Sequence, residues 1–204
     1  MKNYFVTGIG TDVGKTVVAA ILTEALEADY WKPVQAGDLD NSDTIKVKNL
    51  ISNTKTVFHP EAYQLTEPMS PHAAAEIDNV NIDINNIDIP NTNNNLIVEG
   101  AGGLMVPLND KDLIIDLIKK LDLEVILVSQ NYLGSINHTL LSIEVLKAKG
   151  IKIAGIIFNG EKNEATESYI LKYTGIKYLG AVSQHSTVDK DVVLSYKNQF
   201  NNLF

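Results

Sequence analysis

The stretch Gly8-Ile9-Gly10-Thr11-Asp12-Val13-Gly14-Lys15-Thr16 (GIGTDVGKT) decides the fold. It directly follows the apolar strand pattern Tyr4–Thr7 and leads into Lys15–Ala28, a run of good helix formers. A glycine-rich turn between a strand and a helix is typical of a phosphate-binding loop, whose backbone N–H groups hold phosphate oxygens. The first glycine of the general motif GxxxxGK[ST] would fall on Ile9, so this loop is one residue longer when counted from Gly8.

The rest of the chain alternates short apolar runs with amphipathic stretches. This alternation predicts an α/β fold, a mostly parallel sheet flanked by helices. Further strands are expected at Tyr30–Val34, Leu96–Val98, Glu124–Ser129, Lys152–Phe158 and Tyr178–Val182. Helices are expected at Ser42–Ile51, from Pro71 onward, and at Lys111–Leu121, Ser135–Lys149, Glu164–Tyr173 and 189–204. The asparagine-rich residues 79–95 predict a surface connection, with a short edge strand as the alternative. We therefore expect one domain over residues 1–204, with the fold of P-loop nucleoside-triphosphate hydrolases.

The composition excludes several kinds of chemistry. All 17 basic residues are lysines, against 25 acidic residues and a net charge of −8, and there is no cysteine. A thiolate nucleophile, an iron–sulfur cluster and an arginine finger are therefore absent. The acidic balance argues against a nucleic-acid partner, and the apolar runs are too short for a membrane span. We expect a cytoplasmic protein that holds anions with lysine, backbone N–H groups or a metal ion.

Five polar residues follow the predicted strands or the loop at positions that suit phosphate chemistry. Lys15 can reach between the β- and γ-phosphates, and the Thr16 hydroxyl can ligate Mg²⁺. Glu99 follows a buried strand and precedes four small residues, so it is a candidate Mg²⁺ ligand. Asp43 begins a helix and is a metal ligand or a helix cap. Lys32 lies at a strand end, where ligands gather in open α/β sheets.

Five longer segments match one family. They are Tyr4–Thr16 (YFVTGIGTDVGKT), Trp31–Gly37 (WKPVQAG), Ser70-Pro71-His72, Val98–Leu108 (VEGAGGLMVPL) and Leu133–His138. In these segments the chain resembles the dethiobiotin synthetases, which use the longer phosphate loop. The resemblance implies a dimeric ligase that uses Mg²⁺ and ATP to act on 7,8-diaminononanoate and CO₂. One amine of the substrate would capture CO₂ as a carbamate, which would attack the γ-phosphate. The second amine would then displace phosphate and close the ureido ring.

The resemblance also implies the roles of individual residues. Lys15 and Lys32 would flank the carbamate and the γ-phosphate, and Thr11 would face the substrate. The Mg²⁺ ligands would be Thr16, Asp43 and Glu99. The nucleotide would be bound by Asp12, Val13, Gly14, Lys15, Thr16, Val17, Asp43, Glu99, Gly100, Ala101, Gly102, Asn159, Gly160, Ser183, Gln184 and His185. The last five of these would lie on the adenine side.

Two features of the resemblance concern the substrate. The helix start at Gly134–Asn137 would reach across a homodimer to the substrate's carboxylate, since a helix N-terminus attracts anions. Ala36 stands where the family usually has serine or threonine, so one hydroxyl contact to the substrate is missing or replaced.

Three other classes of protein remain as alternatives. A chromosome-partitioning ATPase would carry a signature lysine where this chain has Gly10. A corrinoid amidotransferase synthetase would need a further domain with a nucleophilic cysteine. A binding module without turnover would not need Lys15, Thr16 and Glu99 together. The hydroxyl contact to substrate that is missing at Ala36 keeps this alternative open.

Overall fold

The computed structural model describes residues 1–201. Its strands are β1 Asn3–Gly8, β2 Asp29–Trp31, β3 Val34–Ala36, β4 Phe58–His59, β5 Tyr63–Leu65, β6 Leu96–Gly103, β7 Glu124–Gln130, β8 Ile153–Asn159 and β9 Tyr178–Val182. Its α-helices are α1 Lys15–Leu26, α2 Asp43–Leu50, α3 Pro71–Ile77, α4 Ile114–Leu121, α5 Ser135–Ala148, α6 Glu164–Thr174, α7 Lys190–Ser195 and α8 Lys197–Phe200.

Seven strands form one parallel sheet in the order β4-β2-β6-β1-β7-β8-β9, and β3 pairs with β5 in a separate parallel pair. The predicted fold class is confirmed. Successive strand residues point to opposite faces, so Phe5 packs into one core layer and Val6 into the other. Helices α4, α5 and α6 cover the first face, and α1, α7 and α8 cover the second. Burial on both faces explains why the central strands are continuously apolar.

The order of the sheet places the site. β1 lies between β6 and β7, and β2 lies on the far side of β6. Since the strands are parallel, their carboxyl ends meet at one edge. The loop after β1, the end of β2 and the second half of β6 therefore converge there, bringing residues far apart in sequence into one place. Glu99 was expected just after its strand, but β6 continues from Leu96 to Gly103, so Glu99 lies within it.

The prediction of a single strand at Tyr30–Val34 is wrong. β2 ends at Trp31, and β3 begins only at Val34 and joins the separate pair with β5. Pro33 has no N–H to continue the ladder, and its carbonyl accepts hydrogen bonds from Ala62 and Tyr63 instead. The break leaves Lys32 at the carboxyl end of β2. The short strands β4 and β5 have no strong hydrophobic pattern and were not predicted.

Three other predicted elements differ in extent. The helix expected from Lys111 begins at Ile114, because Asn109 accepts from the backbone N–H groups of Lys111 and Asp112 in a turn. Residues 79–95 form a surface connection with a short 3₁₀ turn at Ile84–Asn86, and no strand. The helix expected over 189–204 is two short helices within the described residues, and positions 202–204 lie outside them.

Candidate active site

The phosphate loop connects β1 to α1 and ends at Gly14, in the left-handed region at φ +88°. A Cβ on Gly14 would lie 2.1 Å from the side-chain nitrogen of Asn159, so only glycine fits. That Asn159 nitrogen donates to the carbonyl of Val13 at 3.0 Å. The end of β8 therefore supports the phosphate loop through Asn159, and the adenine contact that the resemblance implies for Asn159 stays a prediction.

Lys15, the first residue of α1, is buried at the mouth of the loop. Its ammonium donates to the carbonyl of Gly10 at 2.9 Å. Burial lowers the pKa of Lys15, although the nearby Glu99 carboxylate opposes this effect. Lys15 is therefore a cation with little water around it, held on the loop that would contact phosphates.

A four-residue cluster lies next to this loop. Lys32, from the end of β2, forms a very short ion pair with Asp43 and a second contact of 3.3 Å with Glu99 Oε1. The same Oε1 accepts a hydrogen bond of 2.8 Å from the Thr16 hydroxyl. The side chains of Lys32 and Glu99 are only 5% and 1% exposed. The structure thus brings together four predicted site residues that come from four different elements.

Electrostatics favour the charged forms of Lys32 and Asp43. Burial alone would lower the pKa of Lys32, but the carboxylates of Glu99 and Asp43 outweigh it and raise that pKa. Burial alone would raise the pKa of Asp43, but Lys32 outweighs it and lowers that pKa. The capping role open to Asp43 is taken by Ser42, whose hydroxyl accepts from the backbone N–H of Ile45.

Two residues that support the cluster were not predicted. Tyr30 donates its hydroxyl to Glu99 Oε2 at 2.8 Å, and burial followed by the Glu99 charge raises the pKa of this phenol well above its usual range. The Gln35 amide accepts from the Asp43 backbone N–H and donates to the carbonyl of Gly37. No sequence pattern signalled Tyr30, since a tyrosine in a buried strand is usually a core residue.

The cluster opens into a cavity of about 810 Å³. Predicted site residues line much of its wall, namely Thr11, Asp12, Gly14, Lys15, Thr16, Val17, Lys32, Asp43, Glu99, Ala101 and Gly102. Ala36 lines it too, beside Lys46 and Asp38. Gly100 packs against the Phe5 ring behind the wall. The cavity could hold a polyanion between Lys15, Lys32 and the loop amides.

The remaining predicted residues lie outside this cavity. The Gly160 N–H donates to the carbonyl of Val182, which places the end of β8 beside residues 183–185. There the hydroxyl of Tyr196 contacts Ser183 N and His185 Nε2, each at 2.9 Å. The helix start at Gly134–Asn137 lines a different depression, of about 790 Å³. Roles for Gly160, Ser183, Gln184 and His185 in binding adenine stay predictions.

The donor set of the cluster fits a magnesium ion. Thr16, Asp43 and Glu99 offer a hydroxyl and two carboxylates, the hard oxygen ligands that Mg²⁺ prefers. The two carboxylates already share one cation, Lys32, so the cluster is built to compensate positive charge. Metal binding by these three residues stays a prediction.

Fold and site together define a P-loop nucleotide-binding protein. Solved structures of that class have the same fold: the septum site-determining protein MinD of Pyrococcus horikoshii (complexed with Mg-ADP) matches with a TM-score of 0.62 at 12% identity, covering 99% of this chain and 96% of that one. A ParA family ATPase from Chlorobium tepidum matches with a TM-score of 0.60 at 15% identity, covering 97% and 91%. At these identities the likeness concerns the fold alone. No helix within residues 1–201 is long and apolar enough to cross a membrane.

Sequence comparison defines the family. Residues 2–192 match the family described as "AAA domain". The ATP-dependent dethiobiotin synthetase BioD of Christiangramia forsetii is 59% identical over 98% of this chain and 96% of its own length. The protein of the same name from Cytophaga hutchinsonii is 54% identical over 96% and 95%. The chain belongs to the dethiobiotin synthetase family, and the resemblance noted in the sequence is confirmed.

Proposed function

We propose that this chain uses ATP to close the ureido ring of dethiobiotin, joining 7,8-diaminononanoate and CO₂ and releasing ADP and phosphate. One observation carries the proposal: Lys32 and Lys15 are both buried near the Glu99 carboxylate and both line the cavity that the phosphate loop borders. Two cations held beside a phosphate loop suit a reaction that brings two anions, a carbamate and a triphosphate, into contact.

The order of bond changes follows from the chemistry of the substrates. One amine of diaminononanoate adds to CO₂ and loses a proton, which gives a carbamate. A carbamate oxygen attacks the γ-phosphorus of ATP, the bond to the β-phosphate oxygen breaks, and ADP leaves. The neighbouring amine attacks the carbonyl carbon of the resulting mixed anhydride, loses a proton and expels phosphate, which closes the five-membered ring.

The protein positions the two anionic substrates and compensates their negative charge. Lys15 and the loop amides hold the phosphates, and Lys32 lies where the carbamate oxygen and the γ-phosphate would meet. Thr16, Asp43 and Glu99 would hold Mg²⁺, which lowers the charge of the triphosphate when bound. Because this chain has no arginine and the basic residues that line the main cavity are lysines, lysines would supply the side-chain cations that stabilise the transferring phosphoryl group.

An apolar depression next to the main cavity suits the rest of the substrate. It measures about 380 Å³ and shares Thr11 and Val106 with the main cavity. Leu104, Met105 and Leu141 also line it, so it matches an aliphatic chain. A homodimer would bring the Gly134–Asn137 helix start of one subunit to the carboxylate end of the substrate bound in the other subunit. Leu133 just before that helix is fully exposed, as a residue that packs on a partner would be.

The test measures ADP release with diaminononanoate and bicarbonate together and with each omitted. The proposal expects turnover only when both are present, and dethiobiotin as the product by mass spectrometry. ATP turnover that ignores both compounds would instead favour a switch ATPase.

Lys15→Ala should abolish ring closure and leave the fold intact, with the exposed Lys147→Ala as a control at the wild-type rate. Sedimentation tests the dimer, and a monomer at assay concentration would contradict the shared site.

A further inference from the structure

The two oxygens of the Glu99 carboxylate have different surroundings. Oε1 accepts from the Thr16 hydroxyl at 2.8 Å and contacts the Lys32 ammonium at 3.3 Å, and both partners line the main cavity. Oε2 accepts a 2.8 Å hydrogen bond from the Tyr30 hydroxyl, and Tyr30 is not among the residues that line the cavity. One oxygen therefore faces the site and the other faces the protein interior.

The Tyr30 phenol is fixed in place. Tyr30 is fully buried in the core layer beneath α1, and its strand β2 pairs with β4 on one side and β6 on the other. The ring of Phe58 packs against it at a centroid distance of 5.9 Å. Close packing on this scale prevents the ring from rotating away from the carboxylate. The hydrogen bond is therefore a rigid constraint on Glu99.

We propose that Tyr30 is a positioning residue that holds Glu99 Oε2, so that Glu99 presents Oε1 alone to a divalent cation beside Thr16. The inference rests on the proposed function, which gives Glu99 its role as a metal ligand. This arrangement affects which divalent cation binds, because cations differ in whether they take one or both oxygens of a carboxylate. Ca²⁺ readily takes both oxygens of a carboxylate, whereas Mg²⁺ requires near-octahedral geometry and usually takes one. Tyr30 thus favours Mg²⁺ over Ca²⁺.

The experiment uses Tyr30→Phe, which removes the hydroxyl and keeps the ring. Calorimetric titrations measure the binding of Mg²⁺ and of Ca²⁺ to the protein saturated with a non-hydrolysable ATP analogue. Removing a partner of a metal ligand weakens metal binding about 10-fold or more, so we expect a loss of this size for Mg²⁺. The loss for Ca²⁺ should be smaller, and the affinity for the analogue in EDTA should be unchanged. Tyr63→Phe is the control, since it also removes a bonded hydroxyl but one that contacts Asp83 N.

A structural role alone predicts different results. Loss of folding would lower analogue binding in EDTA and would not be corrected by metal, whereas the proposal expects excess Mg²⁺ to restore the turnover of Tyr30→Phe. Phe58→Leu, which keeps the hydroxyl and loosens its support, should weaken Mg²⁺ binding less but in the same direction. Unchanged Mg²⁺ affinity in Tyr30→Phe, or equal losses for Mg²⁺ and Ca²⁺, would overturn the inference.

The titrations also separate this inference from the proposed function. They require only nucleotide and metal, so they remain informative if the chain acts on a substrate other than diaminononanoate. A wild-type protein that binds the analogue and Mg²⁺ but shows no effect of Tyr30→Phe refutes the positioning role alone. A wild-type protein that binds neither refutes both.

Discussion

Replacing Lys32 with methionine tests the charge balance of the site directly. The variant keeps the length of the side chain and removes the ammonium that Asp43 and Glu99 share. Glu99, which is almost fully buried, then loses the ammonium that balances it, and Asp43 keeps only its longer contact of 3.5 Å with the partly exposed Lys46. Breaking a buried ion pair by removing one partner costs about 3–5 kcal/mol. For a chain of this length such a loss corresponds to a fall in melting temperature of roughly 6–20 °C.

The pH dependence of this loss has a definite sign. Lys32 lowers the pKa of Asp43. The ion pair between them therefore contributes its full stability at pH values above the unfolded pKa of that carboxyl, about 3.9. It is lost as the pH falls through the lower, folded pKa. In the variant the carboxyl is easier to protonate. The difference in stability between wild type and Lys32→Met should therefore be full at pH 8 and shrink below about pH 4.

Urea unfolding followed by circular dichroism at pH 8 and at about pH 3, below the unfolded pKa of the carboxyl, measures the effect. Lys147→Met is the matched control, because its partner Glu144 is exposed and such pairs contribute little. We expect no measurable change from the control. A loss below about 1 kcal/mol at pH 8, or an equal loss at both pH values, would mean that Lys32 does not neutralise these carboxylates. Mg²⁺ should stabilise the variant more than the wild type, since a divalent cation replaces the missing charge.

Two further variants test the loop and the helix behind it. Gly14→Ala should lose nucleotide affinity in a calorimetric titration, because its Cβ would displace the Asn159 amide from the loop. Affinity equal to wild type would show that the loop tolerates this shift. Glu24→Gln should cost about 2 kcal/mol in urea unfolding at pH 7, because the buried carboxylate accepts backbone hydrogen bonds from Ser52 and Asn53. Burial alone would raise the pKa of Glu24, but these hydrogen bonds outweigh it and lower that pKa. The stability difference between wild type and Glu24→Gln should therefore vanish below about pH 4, and a loss that persists there would contradict the prediction.

The sequence was most informative where a local pattern has one structural meaning. The stretch Gly8–Thr16 requires a strand before it and a helix after it, and β1 and α1 are where they were predicted. The parallel sheet also followed from alternating runs. By contrast, the break between β2 and β3 depends on Pro33 accepting two distant N–H groups, and α4 starts late because of a turn around Asn109. These effects are tertiary or involve side chains, so periodicity does not register them.

The same limit applied to the site. Lys15, Thr16, Lys32, Asp43 and Glu99 could each be selected because their types and places suit phosphate chemistry. Tyr30 could not, since a tyrosine in a buried strand is usually a core residue. Its role depends on β2 and β6 being neighbours, and this pairing joins residues about seventy positions apart. Sequence patterns therefore selected the groups that are expected to touch ligand, and the structure added a residue that is hydrogen-bonded to one of them.

The absence of arginine gives the buried cluster its significance. A guanidinium stays charged in almost any surroundings, whereas a lysine loses its proton more readily when buried. Lys15 shows this effect, since burial lowers its pKa. Lys32 escapes it because Asp43 and Glu99 raise its pKa, so these carboxylates keep one lysine charged as well as being candidate metal ligands. A site that neutralises phosphate with lysines alone needs such carboxylates. Removing either Asp43 or Glu99 should lower the pKa of Lys32, so that a smaller fraction of this lysine is protonated before any substrate binds.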